Sequence, residues 1–183
     1  MHEATFGGVH ESSCGRLEGV LLSIESGNAF STGGDVSELA STLSSYGPAN
    51  ARLYLQLESA VALQLHKLSQ TKRAVVALAD GVLTGASAAF FLSASNRVAT
   101  AATTFSMPGC QVGISPGCGA LDIFASGSVA PRSVGLVNAL AGGRLLAGPV
   151  ARDGAPLNVA THATMSEDAL WELRAHPKTW ESS

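Results

Sequence analysis

Charged side chains are scarce in this sequence. Only 14% of its 183 residues are Asp, Glu, Lys or Arg, and the formal net charge is −3. The 11 Lys and Arg residues are scattered and form no run of four. A broad basic face is therefore excluded, and with it nucleic acid as the main ligand. Because 46% of the residues are hydrophobic, we expect a well-filled core and some apolar surface, which self-association or a protein partner would cover.

Cysteine is also rare, and long apolar runs are missing. Three cysteines are an odd number, which does not suggest a disulfide framework and fits a reducing compartment. Neither the cysteines nor the five histidines have the spacing of a metal site. Polar residues interrupt every stretch of about 18 residues, so the sequence predicts no membrane span. Residues 1–18 are polar and glycine-rich without a signal-peptide core, and we expect a flexible lead-in there.

Short apolar runs alternate with segments of helical periodicity. The predicted strands are 19–25, 74–79 and 97–99, and the predicted helices are 48–70, 85–94, 120–125, 132–140 and one from Thr161 onward. In helix 48–70, apolar residues recur every three or four positions and predict one buried face: Tyr54, Leu57, Val61, Leu65 and Leu68. This alternation predicts an α/β fold with functional sites in the loops beyond the strand ends.

Two glycine-rich connections each lead from a predicted strand region into helical sequence. They are AFSTGGDV at 29–36 and DGVLTGAS at 80–87. A helix start presents unpaired backbone N–H groups and the positive end of a dipole, so two starts that face one point would form an oxyanion hole. Their spacing fits ordinary strand-to-helix turns equally well. No GK[ST] follows either loop, which excludes a P-loop.

Three blocks of the sequence together resemble a known family. AFSTGGDV, ALADGVLTGASAAFF and NRVATAATTFSMPGCQVGISPGCGA are similar to the signature blocks of the crotonase (enoyl-CoA hydratase/isomerase) superfamily. The third block is most similar to 3-hydroxyisobutyryl-CoA hydrolases, and the resemblance covers roughly residues 19–175. It implies an α/β fold built as a crotonase-like ββα spiral. Relative to the family, the core at 19–183 is expected to be truncated, with the spiral incomplete at both ends.

The resemblance also implies a ligand and a site. The backbone amides of Gly34 and Ala86 would form the oxyanion hole, and coenzyme A would lie along the first loop. The residues assigned to the coenzyme A site are Ala29, Phe30, Ser31, Gly33 and Asp35. The side chain of Asp35 more simply caps the helix that follows. The expected ligand is a coenzyme A thioester without a further cofactor or metal, and the implied setting is mitochondrial valine catabolism, although no transit peptide is visible.

The sequence departs from the family at the catalytic acids. The hydrolases carry a glutamate and an aspartate where this chain has Gly109 and Gly117. The hydratases carry a further glutamate, and the matching position in this chain is near Ala89 and has no acid. Losing one positioned acid or base typically costs about 10²–10⁴-fold in rate. The pattern therefore contains no catalytic side chain, and we expect a pseudoenzyme that keeps thioester binding and has lost hydrolysis.

Other side chains offer weak substitutes for those acids. Cys110 and Cys118 each follow a changed position, but no partner histidine is evident, and both are expected to be small buried thiols. His162 matches a family residue, with no sign that it lies near the predicted hole. Glu58, on helix 48–70, could stand near an acyl pocket, but a solvent-facing role is the simpler expectation.

Three hypotheses therefore remain open from the sequence. The first is an inactive hydrolase homologue that binds acyl-CoA or serves as a structural subunit, such as a mitochondrial ribosome component. The second is an active acyl-CoA hydrolase or isomerase that uses the oxyanion hole and side chains outside the family pattern. The third is a fragment without a stable fold.

Overall fold

The computed structural model describes residues 19–23, 29–146 and 159–164. The strands in these ranges are β1 Gly19–Leu22, β2 Ala29–Ser31, β3 Ala74–Ala79, β4 Val82–Thr84, β5 Asn96–Thr100, β6 Thr104–Ser106, β7 Arg144–Leu146 and β8 His162–Thr164. The helices are α1 Val36–Tyr46, α2 Pro48–Ser69, α3 Ala86–Ser93, α4 Ala120–Ser126 and α5 Arg132–Ala141, with a 3₁₀ helix at Pro108–Val112. The expected lead-in at 1–18 lies outside the described residues. The sequence predicts a last helix from Thr161 onward. Residues 162–164 instead form β8, and the remainder of that segment lies outside the described residues.

The strands form two four-stranded sheets, and consecutive strands alternate between them up to β6. One sheet has the order β1-β3-β5-β8, in which all neighbours are parallel. The other has the order β2-β4-β6-β7, in which only β7 is antiparallel to its neighbour. Helical segments follow the β1–β2, β3–β4 and β5–β6 pairs, so the chain repeats a ββα turn as it advances. The predicted α/β architecture is confirmed.

Helix α3 packs into the core that holds the first two turns together. Six of its eight residues are buried, and Ala88, Ala89 and Phe91 have no exposed surface. Its alanines allow close approach to the neighbouring elements. The ring of Phe91 packs edge-to-face on Phe30 of β2, with the ring centroids 6.3 Å apart. This contact anchors β2, and the loop that follows it, against α3.

Helix α2 buries the predicted face only in part: Leu65 is buried and Leu68 packs against the core as expected. Its buried residues are Ala51, Ala62 and Leu65. Leu57 and Val61, which the periodicity assigned to the core, are 62% and 41% exposed. The prediction followed the large side chains, whereas the helix packs through two alanines that permit a close approach to its neighbours. The buried face therefore coincides with the predicted stripe only in part.

The second sheet escaped prediction from the sequence. Its strands β2, β4, β6 and β7 have three residues each. Segments this short show no usable periodicity, because a strand must alternate over at least four residues to be recognised. Pairing with neighbouring strands defines them instead, as in the parallel register of Leu83 with Phe105.

Candidate active site

The two glycine-rich loops lie against each other at the ends of the adjacent parallel strands β2 and β4. A Cβ added at Gly33 would lie 2.9 Å from the carbonyl oxygen of Thr84 and 3.5 Å from the backbone nitrogen of Ala86. Gly33 also has a φ of +89°, a conformation that favours glycine. The hydroxyl of Ser87 donates to the carbonyl oxygens of Ser31, at 3.2 Å, and Thr84, at 2.7 Å. The loops are thus held together by close packing and a shared hydroxyl.

Some backbone amides of the two loops have partners within the described part of the protein, whereas those of Gly34 and Ala86 do not. Gly33 donates to the hydroxyl of Ser31 at 3.2 Å, Asp35 donates to the hydroxyl of Tyr54 at 3.2 Å, and Gly85 donates to the carbonyl oxygen of Ser106 at 3.2 Å. The backbone N–H groups of Gly34 and Ala86 find no acceptor among the residues described. Since Gly34 follows Gly33, whose added Cβ would lie 3.5 Å from the nitrogen of Ala86, both amides lie near the contact between the loops.

The residues assigned to coenzyme A occupy β2 and the start of α1. Ala29, Phe30 and Ser31 form β2, and all three are half-buried. The ring of Phe30 packs into the core, so only its backbone remains for a ligand. The side chain of Asp35 accepts a hydrogen bond from the backbone nitrogen of Glu38 at 2.9 Å, which confirms the predicted helix cap.

The three positions of the missing acids differ in the space around them. Ala89 is fully buried in the core of α3. A Cβ added at Gly109 would lie 2.7 Å from the carbonyl oxygen of Ile114, which is backbone and cannot move aside cheaply. Around Gly117 no atom lies within 4 Å of an added Cβ. An acid could return without a steric penalty only at Gly117.

Glu58 corrects the expectation that no carboxyl group stands near the two amides. It is half-buried on α2, where the sequence placed it in solvent. A Cβ added at Gly34 would collide with Oε1 of Glu58, which places the carboxyl group directly beside this residue. Burial raises the pKa of Glu58, and the hydroxyl of Tyr54, one turn earlier on α2, opposes this rise. A sequence signal for Glu58 does exist. Tyr54 and Glu58 are four residues apart, and with Ala51 and Ala62 they lie on one face of α2.

The two cysteines differ in their surroundings. Cys118 is buried with a φ of +57°, and burial, followed by the charge of Glu58, raises the pKa of its thiol to about 11. It is therefore a neutral thiol beside Glu58, as expected of an unreactive group. Cys110 is half-buried in the 3₁₀ helix. His162 lies in β8, where its backbone pairs with Val98 of β5. The side chain of His162 is not among the parts of the chain that the structure describes.

No metal or membrane feature adds to the site. Within ranges 19–23, 29–146 and 159–164, no group of three or more His, Cys, Asp or Glu side chains is arranged to hold a metal ion. In the same ranges, no helix is long and apolar enough to cross a membrane.

Sequence comparison with protein families agrees with this architecture. The family model described as enoyl-CoA hydratase/isomerase matches residues 13–180. The chain belongs to this family. Its two sheets, parallel except for β7, and its helices are those of the crotonase fold. A comparison with curated proteins finds no match.

Solved enoyl-CoA hydratases share this fold. A putative enoyl-CoA hydratase from Streptomyces coelicolor is 26% identical, with 87% of this chain and 55% of that chain covered and a TM-score of 0.69. The enzyme from Thermoplasma volcanium is 23% identical, with 87% and 58% covered and a TM-score of 0.70. Human enoyl Coenzyme A hydratase domain-containing protein 3 is 20% identical, with 91% and 60% covered and a TM-score of 0.69. The chain spans 45% to 61% of the length of such solved chains.

Proposed function

We propose that this protein binds coenzyme A thioesters, with the thioester carbonyl oxygen between the amides of Gly34 and Ala86. The observation that carries the proposal is that these two N–H groups have no acceptor in the described part of the chain, although those of Gly33, Asp35 and Gly85 do. Two donors at one point suit an oxygen that gains negative charge. Membership of the enoyl-CoA hydratase/isomerase family supports a thioester as the source of that oxygen.

In this proposal the coenzyme A moiety follows the first loop. Ala29, Phe30, Ser31, Gly33 and Asp35 keep their assignment to that part of the site, through backbone rather than side chains. Two groups are already used within the protein, since Gly33 donates to Ser31 and the carbonyl oxygen of Ser31 accepts from Ser87. We therefore expect shape and van der Waals contact along β2 to matter more there than new hydrogen bonds.

We further propose that the protein is a relative of the 3-hydroxyisobutyryl-CoA hydrolases of mitochondrial valine catabolism that has lost hydrolysis through the family's acids. The support is the similarity of segment 105–120 and the absence of a carboxyl group at Gly109, Gly117 and Ala89. We expect no hydrolysis of 3-hydroxyisobutyryl-CoA by the native chain and a measurable rate after Gly117→Asp, the replacement for which there is room. Rapid hydrolysis by the native chain would overturn this finer assignment.

The amide of Ala86 can be removed by a single substitution. Ala86 is the first residue of α3, where proline is tolerated because that N–H has no helical partner. Ala86→Pro should weaken the binding of butyryl-CoA by about three- to tenfold, the value of one hydrogen bond, and leave the binding of free coenzyme A unchanged. Isothermal titration calorimetry with both ligands measures this difference.

A matched control comes from the first residue of α1. Val36→Pro places proline at the start of another helix, after a residue that is already extended, and it should leave both affinities unchanged. Equal butyryl-CoA affinity in the native chain and Ala86→Pro would exclude Ala86 as a donor. If neither ligand binds the native chain, the proposed function is wrong.

The alternative of a structural subunit has one observation in its favour. Helices α1 and α2 expose large apolar side chains, among them Leu53, Leu57 and Leu63, which are 53%, 62% and 50% exposed. Exposed apolar groups of this kind favour burial against another protein surface. Self-association of the chain is the form of this alternative to test first. Analytical ultracentrifugation of the purified chain would show oligomers if the exposed apolar side chains are buried between copies, and a monomer if they are not.

A further inference from the structure

The carboxyl group of Glu58 lies beside the first of the two free amides. A Cβ added at Gly34 would meet its Oε1 and would lie 3.3 Å from its Cδ. The carboxyl group is therefore in contact range of the residue whose N–H has no acceptor. Glycine at position 34 leaves the space that the carboxyl group fills.

Neighbouring groups fix the position of this carboxyl group. The hydroxyl of Tyr54 lies 3.3 Å from the same point beside Gly34 and accepts a hydrogen bond from the backbone nitrogen of Asp35 at 3.2 Å. This bond ties α2 to the first loop. On the other side, the charge of Glu58 contributes to the raised pKa of Cys118, in the loop that also carries Gly117. Glu58 thus lies between two loops of the site.

The surroundings of Glu58 favour proton transfer. Burial raises the pKa of Glu58, and no lysine or arginine opposes this effect among the residues that the structure describes. Once ionised, a half-buried carboxylate without a cationic partner is a better base than one in water. A structural carboxylate would instead be expected to pair with a cation or with several backbone donors.

We infer that Glu58 is the general base and acid of this site, which removes a proton from the carbon next to the thioester carbonyl and returns it. The inference rests on the proposed function, in which the amides of Gly34 and Ala86 hold the carbonyl oxygen. It places the proton-handling group on α2, outside the segments that contain Ala89, Gly109 and Gly117. The class of reaction is enolate formation, of which isomerisation is one outcome.

The step is balanced without a further reactant. The C–H bond breaks, its electron pair becomes the C=C bond of the enolate, and the carbonyl π pair moves to the oxygen atom. The proton passes to the carboxylate of Glu58. In the reverse direction the carboxyl group returns a proton to the same carbon or, on an unsaturated acyl chain, to the carbon two positions further along. In D₂O the carboxyl group exchanges its proton with solvent before the return step, so the returned atom is deuterium and the step becomes visible.

The test is hydrogen–deuterium exchange of butyryl-CoA in D₂O, followed by NMR of the protons next to the carbonyl. The native chain should accelerate the exchange over buffer. Glu58→Gln keeps the shape and removes the base, so its exchange rate should fall by about 10²–10⁴-fold. Its affinity for butyryl-CoA, measured by calorimetry, should stay within about threefold, since at most a neutral contact changes. Glu58→Asp restores a carboxylate with shorter reach and should recover part of the rate.

The matched control is Glu38→Gln, the same chemical change on an exposed residue of α1. It should leave exchange and affinity unchanged. Equal exchange in the native chain and in Glu58→Gln would overturn the inference. Binding of butyryl-CoA without any exchange in the native chain would overturn it as well. In both cases the proposed binding function would stand. Absence of butyryl-CoA binding would overturn both.

Discussion

The loops at Gly34 and Ala86 differ from segment 105–120 in how their chemistry is encoded. The loops offer backbone donors, which every residue except proline supplies, and close packing keeps these donors in place. Segment 105–120 would offer side chains, and its candidate positions now hold Gly109 and Gly117. A backbone site therefore survives sequence change that removes a side-chain site completely.

The same two regions also differ in their tolerance to an added side chain. A Cβ at Gly33 would approach Thr84 and Gly85 at 2.9 and 3.3 Å, whereas a Cβ at Gly117 would meet no atom within 4 Å. The close contact indicates that the loop geometry is still constrained. The open space leaves room for a side chain at position 117.

The largest expected effect comes from filling the contact between the loops. Gly33→Ala adds a Cβ 2.9 Å from the carbonyl oxygen of Thr84, so the loops must separate, and binding of butyryl-CoA should weaken by more than about tenfold. The protein should also lose about 1–3 kcal/mol of stability, because φ at this position is +89°. Calorimetric titration and thermal unfolding measure the two effects.

The control for this variant is Gly47→Ala. Gly47 has a φ of +80°, and no atom lies within 4 Å of an added Cβ. Its replacement should also reduce the free energy of unfolding by about 1–3 kcal/mol through backbone strain, and should leave butyryl-CoA binding intact. If both variants lose binding equally, the contact at Gly33 is not what positions the donors.

A smaller effect separates the two glycines of segment 105–120. Gly109→Ala should destabilise the protein by about 1–3 kcal/mol, because its Cβ would press on the carbonyl oxygen of Ile114. Gly117→Ala should change stability by less than about 0.5 kcal/mol, since the site is open. Chemical denaturation of both variants gives the comparison. Equal stability losses would mean that the space around Gly117 is not free.

Glu58 predicts a pH-dependent effect on stability. Its folded pKa lies above the ordinary value of 4.5, so the folded state binds this proton more tightly, and native stability falls as the pH rises through that interval. Glu58→Gln does not titrate at this position. Above the folded pKa of Glu58 it should be more stable than the native chain by less than about 1 kcal/mol. Below pH 4.5, the ordinary pKa of the group, it should show no gain in stability. Thermal unfolding from about pH 4 to about pH 8 tests this.

The groups that face Glu58 do not mask this signal. Tyr54 and Cys118 both have raised pKa values, chiefly through burial, and stay neutral in this range. Asp35 and Glu38 at the start of α1 act on Tyr54 and are unchanged in the variant. Glu38→Gln, the same chemical change at an exposed position, serves as the control. A pH-independent difference between Glu58→Gln and the native chain would contradict a raised pKa.

The smallest effect concerns the reactivity of Cys118 and leaves stability unchanged. Because the pKa of its thiol is raised to about 11 and the side chain is buried, alkylation in the native protein at neutral pH should be slower at Cys118 than at half-buried Cys110. Mass spectrometry after timed iodoacetamide treatment distinguishes the two. Glu58→Gln removes one cause of the raised pKa and should accelerate the reaction at Cys118. Faster labelling of Cys118 than of Cys110 in the native chain would contradict a buried thiol with a raised pKa.

The fold was predictable to the extent that its elements are long. Strand β3 at 74–79 and helices α3, α4 and α5 have bounds within one residue of the prediction, because continuous apolar runs and helical periodicity are local signals. The three-residue strands β2, β4 and β6 were not predicted. They exist because the longer strands of the other sheet and the helices bring them side by side, which no local pattern encodes.

The site divides in the same way. The sequence by itself determined the two loops, because glycines before a helix start fix free N–H groups through local geometry alone. Only the tertiary structure decided which carboxyl group lies beside them. Helix α2 packs through Ala51, Ala62 and Leu65, which turns Glu58 toward Gly34, and that packing joins segments distant in the sequence.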